Sequence, residues 1–217
     1  MKHLIFDCDG VIIDSEILFA EIAVKRFAEL GFVMEPVAYC SRFAGMMDTE
    51  IMGIIGKETG KEITKAFYDS LRQEVESAFQ TRLKAIKGMP ELIHGLPVEA
   101  SVVSNSHLAH VKHCLRLTGV EDRFAQRVFS SEMVARPKPH PDVYQFALDT
   151  VGLHPDDCWV VEDSVTGVTA ARKAGLKVIG FLGGGHVSDR HGESLKEAGV
   201  KHLASGATEL MKIIHTL

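Results

Sequence analysis

Asp7 and Asp9 flank a single cysteine in "FDCDG", directly after the apolar run that opens the chain. Three further stretches carry matching chemistry. Ser104, Asn105 and Ser106 end "ASVVSNS", Lys138 stands between two prolines in "RPKPHPD", and Glu162 and Asp163 close "CWVVEDS". Two unit charges about 4 Å apart repel by roughly 4 kcal/mol at an effective dielectric of about 20. Four carboxylates therefore share one crevice only if a cation joins them. Oxygen ligands without a His or Cys partner point to Mg²⁺ rather than zinc. Lys138 adds a positive charge, and its flanking prolines keep its backbone extended. Ser104 and the amides opening the helix that follows it suit phosphate oxygens. A carboxylate nucleophile, a divalent cation, a lysine and a helix N-terminus together suit phosphoryl transfer.

These residues meet only if the chain folds so that they do. Short β-rich runs at 3–9, 100–106, 158–163 and 177–181, with minor ones at 127–130 and 201–204, are predicted as strands. Helical patterns at 107–119, 141–152, 165–175 and 207–216 separate or follow them. Gly119, Gly152 and Gly175 stand where helix C-caps are expected. The main strands are apolar on both faces, as in a parallel sheet covered on each side. This alternation predicts an α/β fold, a doubly wound, mostly parallel Rossmann-like sheet with ligands bound beyond the carboxyl ends of its strands. Residues i and i+2 of an extended chain point the same way, so Asp7 and Asp9 are expected on one face and Cys8 on the other.

One segment breaks the alternation. From Glu16 to Leu83 the pattern is helical, with apolar spacing at 17–30, a second helix near 48–56 and a third over 63–83. This predicts a helical cap over 16–83 inserted into a core formed by 1–15 and 84–217.

The 217 residues are 46% hydrophobic and carry a net charge of -5 at pH 7, enough apolar content for a sizeable core. No basic run suits nucleic acid, and no window is apolar enough to span a membrane. The four cysteines form no CxxC pair, which fits reduced thiols and a cytoplasmic protein. The partner expected is a small phosphorylated metabolite, and the assembly a monomer or weak homodimer.

The four ordered motifs, Asp7–Asp9 in "DCDG", Ser104 in "VVSNS", Lys138 in "KPHPD" and "VVEDS" at 160–164, resemble those of the haloacid dehalogenase superfamily. The likeness runs along the whole chain and is greatest to its β-phosphoglucomutase-like phosphatases, which carry a helical cap. The resemblance implies that Asp7 attacks phosphorus and becomes an aspartyl phosphate. Asp9 then protonates the leaving alcohol and later takes a proton from water. It implies Mg²⁺ held by the Asp7 carboxylate, the Asp9 backbone carbonyl and Asp163, with Glu162 acting partly through water. Ser104, Asn105 and Lys138 hold the phosphoryl group, and Gly10 lets the chain turn sharply.

Around that centre the readings are less specific. Arg42, Gly45, Met46 and Met47 in "RFAGMMD" match a cap loop that selects substrate in relatives, with buried core methionines as the alternative. Ser106 and His107 adjoin the site and are candidate substrate contacts. His107, His110 and His113 recur at i, i+3 and i+6 without an acidic or cysteine partner in sequence, which reads as a solvated helix face. "FLGGGH" at 181–186 reads as a flexible loop, since it lacks the Lys and Ser/Thr of a nucleotide P-loop. The expected function is a Mg²⁺-dependent phosphatase for a sugar phosphate or a sugar-acid phosphate such as 6-phosphogluconate. The alternatives are a phosphosugar mutase, a phospho-accepting signalling domain and a non-catalytic binding protein. Phe19 stands where mutases of the β-phosphoglucomutase type carry a histidine.

Overall fold

The computed structural model describes residues 1–43 and 46–217. Its elements are β1 (His3–Phe6), α1 (Ser15–Ala28), α2 (Pro36–Phe43), α3 (Asp48–Thr59), α4 (Lys65–Arg82), α5 (Met89–His94), β2 (Glu99–Ser104), α6 (Leu108–Leu117), α7 (Glu121–Phe124), β3 (Val128–Ser130), α8 (Asp142–Val151), β4 (Cys158–Glu162), α9 (Val165–Lys173), β5 (Lys177–Phe181), α10 (His191–Glu197), β6 (His202–Ala204) and α11 (Ala207–Thr216). Two compact units result. One is Met1–Asp14 with Lys84–Gly184 and Asp189–Leu217; the other is Ser15–Leu83 with Gly185–Ser188.

In the first unit all the strands pair in parallel, in the order β3-β2-β1-β4-β5-β6. The chain winds outward from β1 through β2 to β3, then returns to start β4 on the other side of β1. That reversal leaves a crevice beyond the carboxyl ends of β1, β2 and β4. Burial follows the strand period. Ile5, Val103, Val160 and Val178 pack with Val143, Ala147, Val168 and Ala171 of α8 and α9. On the other face Phe6 meets Phe124 of α7 edge to face, ring centroids 6.2 Å apart. The three glycines expected to end helices all have positive φ, 70° at Gly119, 74° at Gly152 and 81° at Gly175.

Strand β1 stops at Phe6, short of the expected residue 9. The Cys8 carbonyl accepts the amides of Ile12 at 2.8 Å and Ile13 at 3.1 Å, and Gly10 takes φ 74° to allow the turn. Asp9 thus belongs to a turn rather than to the ladder.

The second unit holds α1 to α4 around its own core. Phe27 lies 6.3 Å from Phe32, 6.2 Å from Tyr39 and 5.7 Å from Phe67, measured between ring centroids. Helix α2 was not anticipated from periodicity; it opens on Pro36, a favoured first helical residue, and buries Tyr39 and Phe43. Helices α5, α7 and α10 are likewise too short for a periodic signal. Among the described residues no helix is long and apolar enough to cross a membrane.

His3 ties β1 to β2, its Nε2 lying 2.7 Å from Ser101 Oγ in a buried position. Burial, with the Arg127 charge second, pushes its pKa down from 6.5 to about 4. The unfolded chain takes up this proton first as pH falls, so the neutral ring's contribution is whole above pH 6.5 and is lost on the way down to about 4. His3→Gln is expected to lessen the decline of stability across that window, read from urea midpoints at several pH values. An unchanged pH dependence would contradict it.

Candidate active site

The crevice is built around a buried ammonium. Lys138 Nζ donates to Asp7 Oδ1 at 2.8 Å, to Glu162 Oε1 at 2.9 Å and to the Val103 carbonyl at 2.9 Å. Those three acceptors match its three protons. The Tyr144 ring of α8 covers the ammonium, with its centroid 5.0 Å from Nζ. Asn105 fixes the lysine's main chain from the opposite loop. Its Oδ1 accepts Lys138 N at 2.9 Å, and its Nδ2 donates to Lys138 O at 3.1 Å. The Asn105 side chain, expected on phosphate, is committed to this clamp.

Glu162 is fully buried and heavily bonded. Oε1 receives Lys138 and, at 3.5 Å, the Tyr144 hydroxyl; Oε2 receives the Ser164 amide at 2.9 Å and hydroxyl at 3.0 Å. Ser164 in turn caps α9, accepting Gly167 N at 3.0 Å. The helix comes so close that a Cβ on Gly167 would lie 1.5 Å from Glu162 Oε1. Asp163, also buried, follows at the strand end, where its carbonyl accepts from His191 Nε2 at 2.5 Å.

Two serines, at the end of β2 and in the loop just beyond it, hold one oxygen of Asp9. Ser106 Oγ donates to Oδ2 at 2.7 Å and Ser104 Oγ to the same oxygen at 3.4 Å. That loop is tied down from β3: Ser130 Oγ donates to Ser106 O and Ser131 Oγ to Asn105 O, both at 2.7 Å. The two aspartates, expected on one face, are thus held by different groups, because the chain turns after β1. Cys8 is fully buried, and the neighbouring Cys114 thiol, with burial second, pushes its own thiol well above the ordinary range.

The mouth of α6 differs from expectation. Ser106 N donates to Ser104 Oγ at 3.0 Å, and Leu108 N to Glu132 Oε2 at 2.7 Å. A protein carboxylate thus already occupies part of the helix N-terminus, where negative charge is favoured. The other oxygen of Glu132 lies 2.7 Å from His107 Nδ1. Nor is the histidine row merely solvated. His110 Nε2 lies 3.4 Å from Cys114 Sγ and 3.7 Å from Asp9 Oδ1. Asp9, with Cys114 behind it, pushes the imidazole up to about 10. Sequence spacing cannot show partners such as Glu132 and Asp9 that come from distant segments.

Charge is unbalanced. Burial first, then Glu162, Asp163 and Asp9, raise the Asp7 carboxyl well above its ordinary value, against the pull of Lys138. For Lys138 burial works toward the neutral form, and Asp7 with Glu162 overcomes it, so the lysine stays charged. Asp7, Glu162 and Asp163 each bring a carboxylate oxygen within 4.8 Å of the others, all buried. Three clustered carboxylates, two of them on the Lys138 ammonium, offer oxygen donors alone and fit a hard divalent cation.

The second unit carries the remaining candidates. Arg42 pairs with Glu58, and its guanidinium lies 5.7 Å from the Phe32 ring centroid and 5.1 Å from that of Phe43. Met46 and Met47 are 42% and 65% exposed, so they are not core methionines. Gly45 lies outside the described residues.

Set beside known proteins, residues 4–181 match the model of the haloacid dehalogenase-like hydrolase family. The chain belongs to that family. It is 30% identical over 187 residues to the 6-phosphogluconate phosphatase of Escherichia coli (strain K12), spanning 86% of this chain and 85% of that one. A conserved haloacid dehalogenase-like protein of Agrobacterium tumefaciens superposes with a TM-score of 0.93 at 30% identity, covering 100% of this chain and 98% of that one. A family hydrolase of Deinococcus radiodurans, solved with bound phosphate and sodium, gives 0.87 at 28% identity over 97% and 93% of the two chains.

Tyr144 and Gly167 escaped the sequence reading because each looks like an ordinary helix residue. Gly167→Ala is expected to displace the Glu162 carboxylate and loosen Lys138. Turnover should fall at least about tenfold, with the unfolding free energy from urea titration lowered, as in overpacked cores, by about 1–3 kcal/mol. Wild-type turnover and stability in this variant would refute the close contact.

Proposed function

We propose that the chain is a Mg²⁺-dependent phosphatase acting on a small phosphorylated metabolite through an aspartyl phosphate on Asp7. A sugar phosphate or sugar-acid phosphate such as 6-phosphogluconate is the substrate class favoured. The observation that carries the reading is the buried Asp7–Lys138–Glu162 triad beside Asp163, at the carboxyl end of the central strand. The Escherichia coli relative, named for 6-phosphogluconate, supports the substrate class.

Asp7, Asp163 and the Asp9 backbone carbonyl would hold Mg²⁺, with Glu162 completing the acidic set through its charge, since its own oxygens are hydrogen-bonded. Bound there, the ion supplies charge stabilisation for the phosphoryl oxygens. Lys138 fixes Asp7 by one oxygen and adds positive charge, and Ser104 and the Asn105 main chain border the phosphoryl group. An Asp7 oxygen bonds to phosphorus as the phosphorus–ester oxygen bond breaks. The departing alkoxide takes the proton of Asp9. Water then attacks the aspartyl phosphate and gives a proton to Asp9, releasing phosphate and restoring Asp7. In this reading the core spans 1–15 and 84–217, and the helical segment 16–83, with Arg42, Gly45, Met46 and Met47, selects the alcohol. His107, fixed by Glu132, borders the same loop as Ser106.

The mutase alternative loses support at Phe19. That ring packs against Tyr39 with centroids 6.4 Å apart and offers no acid–base group.

A panel of phosphorylated metabolites assayed with Mg²⁺ tests the reading. Turnover should stop with EDTA, return with added Mg²⁺, and give the highest kcat/KM on sugar or sugar-acid phosphates. Metal-indifferent activity, or none across the panel, would contradict it. Asp7→Asn should lower turnover by at least about a thousandfold while the cooperative unfolding transition persists. Loss of that transition together with activity would make Asp7 structural instead.

A further inference from the structure

The reaction as drawn leaves one neighbour of Asp9 unused. His110 stands in the first turn of α6, with Nε2 3.7 Å from Asp9 Oδ1. The serines of the β2 loop hold only the other oxygen, Ser106 Oγ at 2.7 Å and Ser104 Oγ at 3.4 Å from Oδ2. Behind the imidazole, Cys114 Sγ lies 3.4 Å from the same nitrogen. Cys114 is fully buried, so the ring has a solid backing.

Asp9 needs such a restraint. It lies in the turn beyond β1, where no ladder fixes its side chain, and that side chain is 20% exposed. A carboxylate held by one oxygen still swings about that contact, whereas one restrained at both keeps its plane. Proton transfer requires the acid within hydrogen-bond reach of the ester oxygen. Lys138, Asp7 and the phosphoryl group do not share that requirement.

We propose that His110 is a positioning residue that sets the orientation of the Asp9 carboxylate for proton transfer to the leaving oxygen. This rests on the phosphatase reading above. Its signature is a dependence on the leaving group. An alkyl phosphate releases a strongly basic alkoxide and needs the proton of Asp9. p-Nitrophenyl phosphate releases a stable phenolate and does not, so the contrast lies in kcat/KM, which reports phosphorylation of Asp7; hydrolysis of the aspartyl phosphate, which uses Asp9 for either ester, enters kcat alone.

The test measures kcat and KM with Mg²⁺ on p-nitrophenyl phosphate and on 6-phosphogluconate, or on the best alkyl phosphate of the panel. The variants are His110→Phe, His110→Gln and, as reference, Asp9→Asn. His110→Phe should lower kcat/KM on the alkyl ester roughly 10- to 100-fold, acting on kcat rather than KM, part of the 10²–10⁴ that general acid catalysis contributes. On p-nitrophenyl phosphate its kcat/KM should stay within about threefold of wild type. His110→Gln, which keeps an N–H donor, should recover most of the alkyl-ester loss. Asp9→Asn should show the same selectivity more strongly. If Asp9→Asn shows no leaving-group preference, the role given to Asp9 fails, and the proposal with it. If Asp9→Asn shows the preference in kcat/KM but His110→Phe lowers kcat/KM on both esters alike, or on neither, His110 is structural and the proposal alone is overturned. Should His110→Phe not fold, His110→Ala replaces it with the same expected split.

Discussion

A buried ammonium is stable only when each of its protons has an acceptor and its charge a counter-charge; otherwise desolvation costs several kcal/mol. Lys138 meets that condition through Asp7, Glu162 and the Val103 carbonyl, and much of the first unit follows from the requirement. The sheet order brings β1, β2 and β4 side by side, so that one acceptor comes from each. Asn105 holds the lysine's main chain, Tyr144 covers its outer face, and α9 closes against Glu162 at a glycine. Each component is ordinary alone. Their convergence on one nitrogen makes them a unit.

The same centre separates the two aspartates electrostatically. Asp7 lies in a dry environment crowded with negative charge, while Asp9 is part-exposed and surrounded by hydroxyls and an imidazole. Carboxylates two residues apart in sequence thereby acquire different surroundings, the usual physical route to different acid–base duties. The tight turn at Gly10 is what parts them, since a continuing strand would have kept both in one environment.

Much of this was legible in the sequence because strand ends are punctuated. Three of the four short motifs fall at the ends of apolar runs, the fourth is marked by the prolines beside Lys138, and a parallel sheet with its reversal beside β1 brings such positions together. Helix ends were legible at Gly119, Gly152 and Gly175 because a left-handed residue is favoured there. What stayed hidden depends on pairing between distant segments. Glu132 has no sequence signal linking it to the first turn of α6, yet it occupies that helix mouth. His110 shares its spacing with two neighbours on a helix face and has Cys114 four residues on, a contact spacing can show, but only the fold shows that Asp9 meets it. Tyr144 follows an apolar helix period indistinguishable from core packing. The short α2, α5, α7 and α10 offer too few turns for periodicity to register.

Asn105 sits in the loop after β2 and grips the backbone of Lys138 through both halves of its amide. Two segments from separate parts of the chain are thereby welded into one mechanical part. The crevice therefore has less independent play than two loops suggest, because the loop after β2 and the lysine's main chain are held by two hydrogen bonds from one side chain.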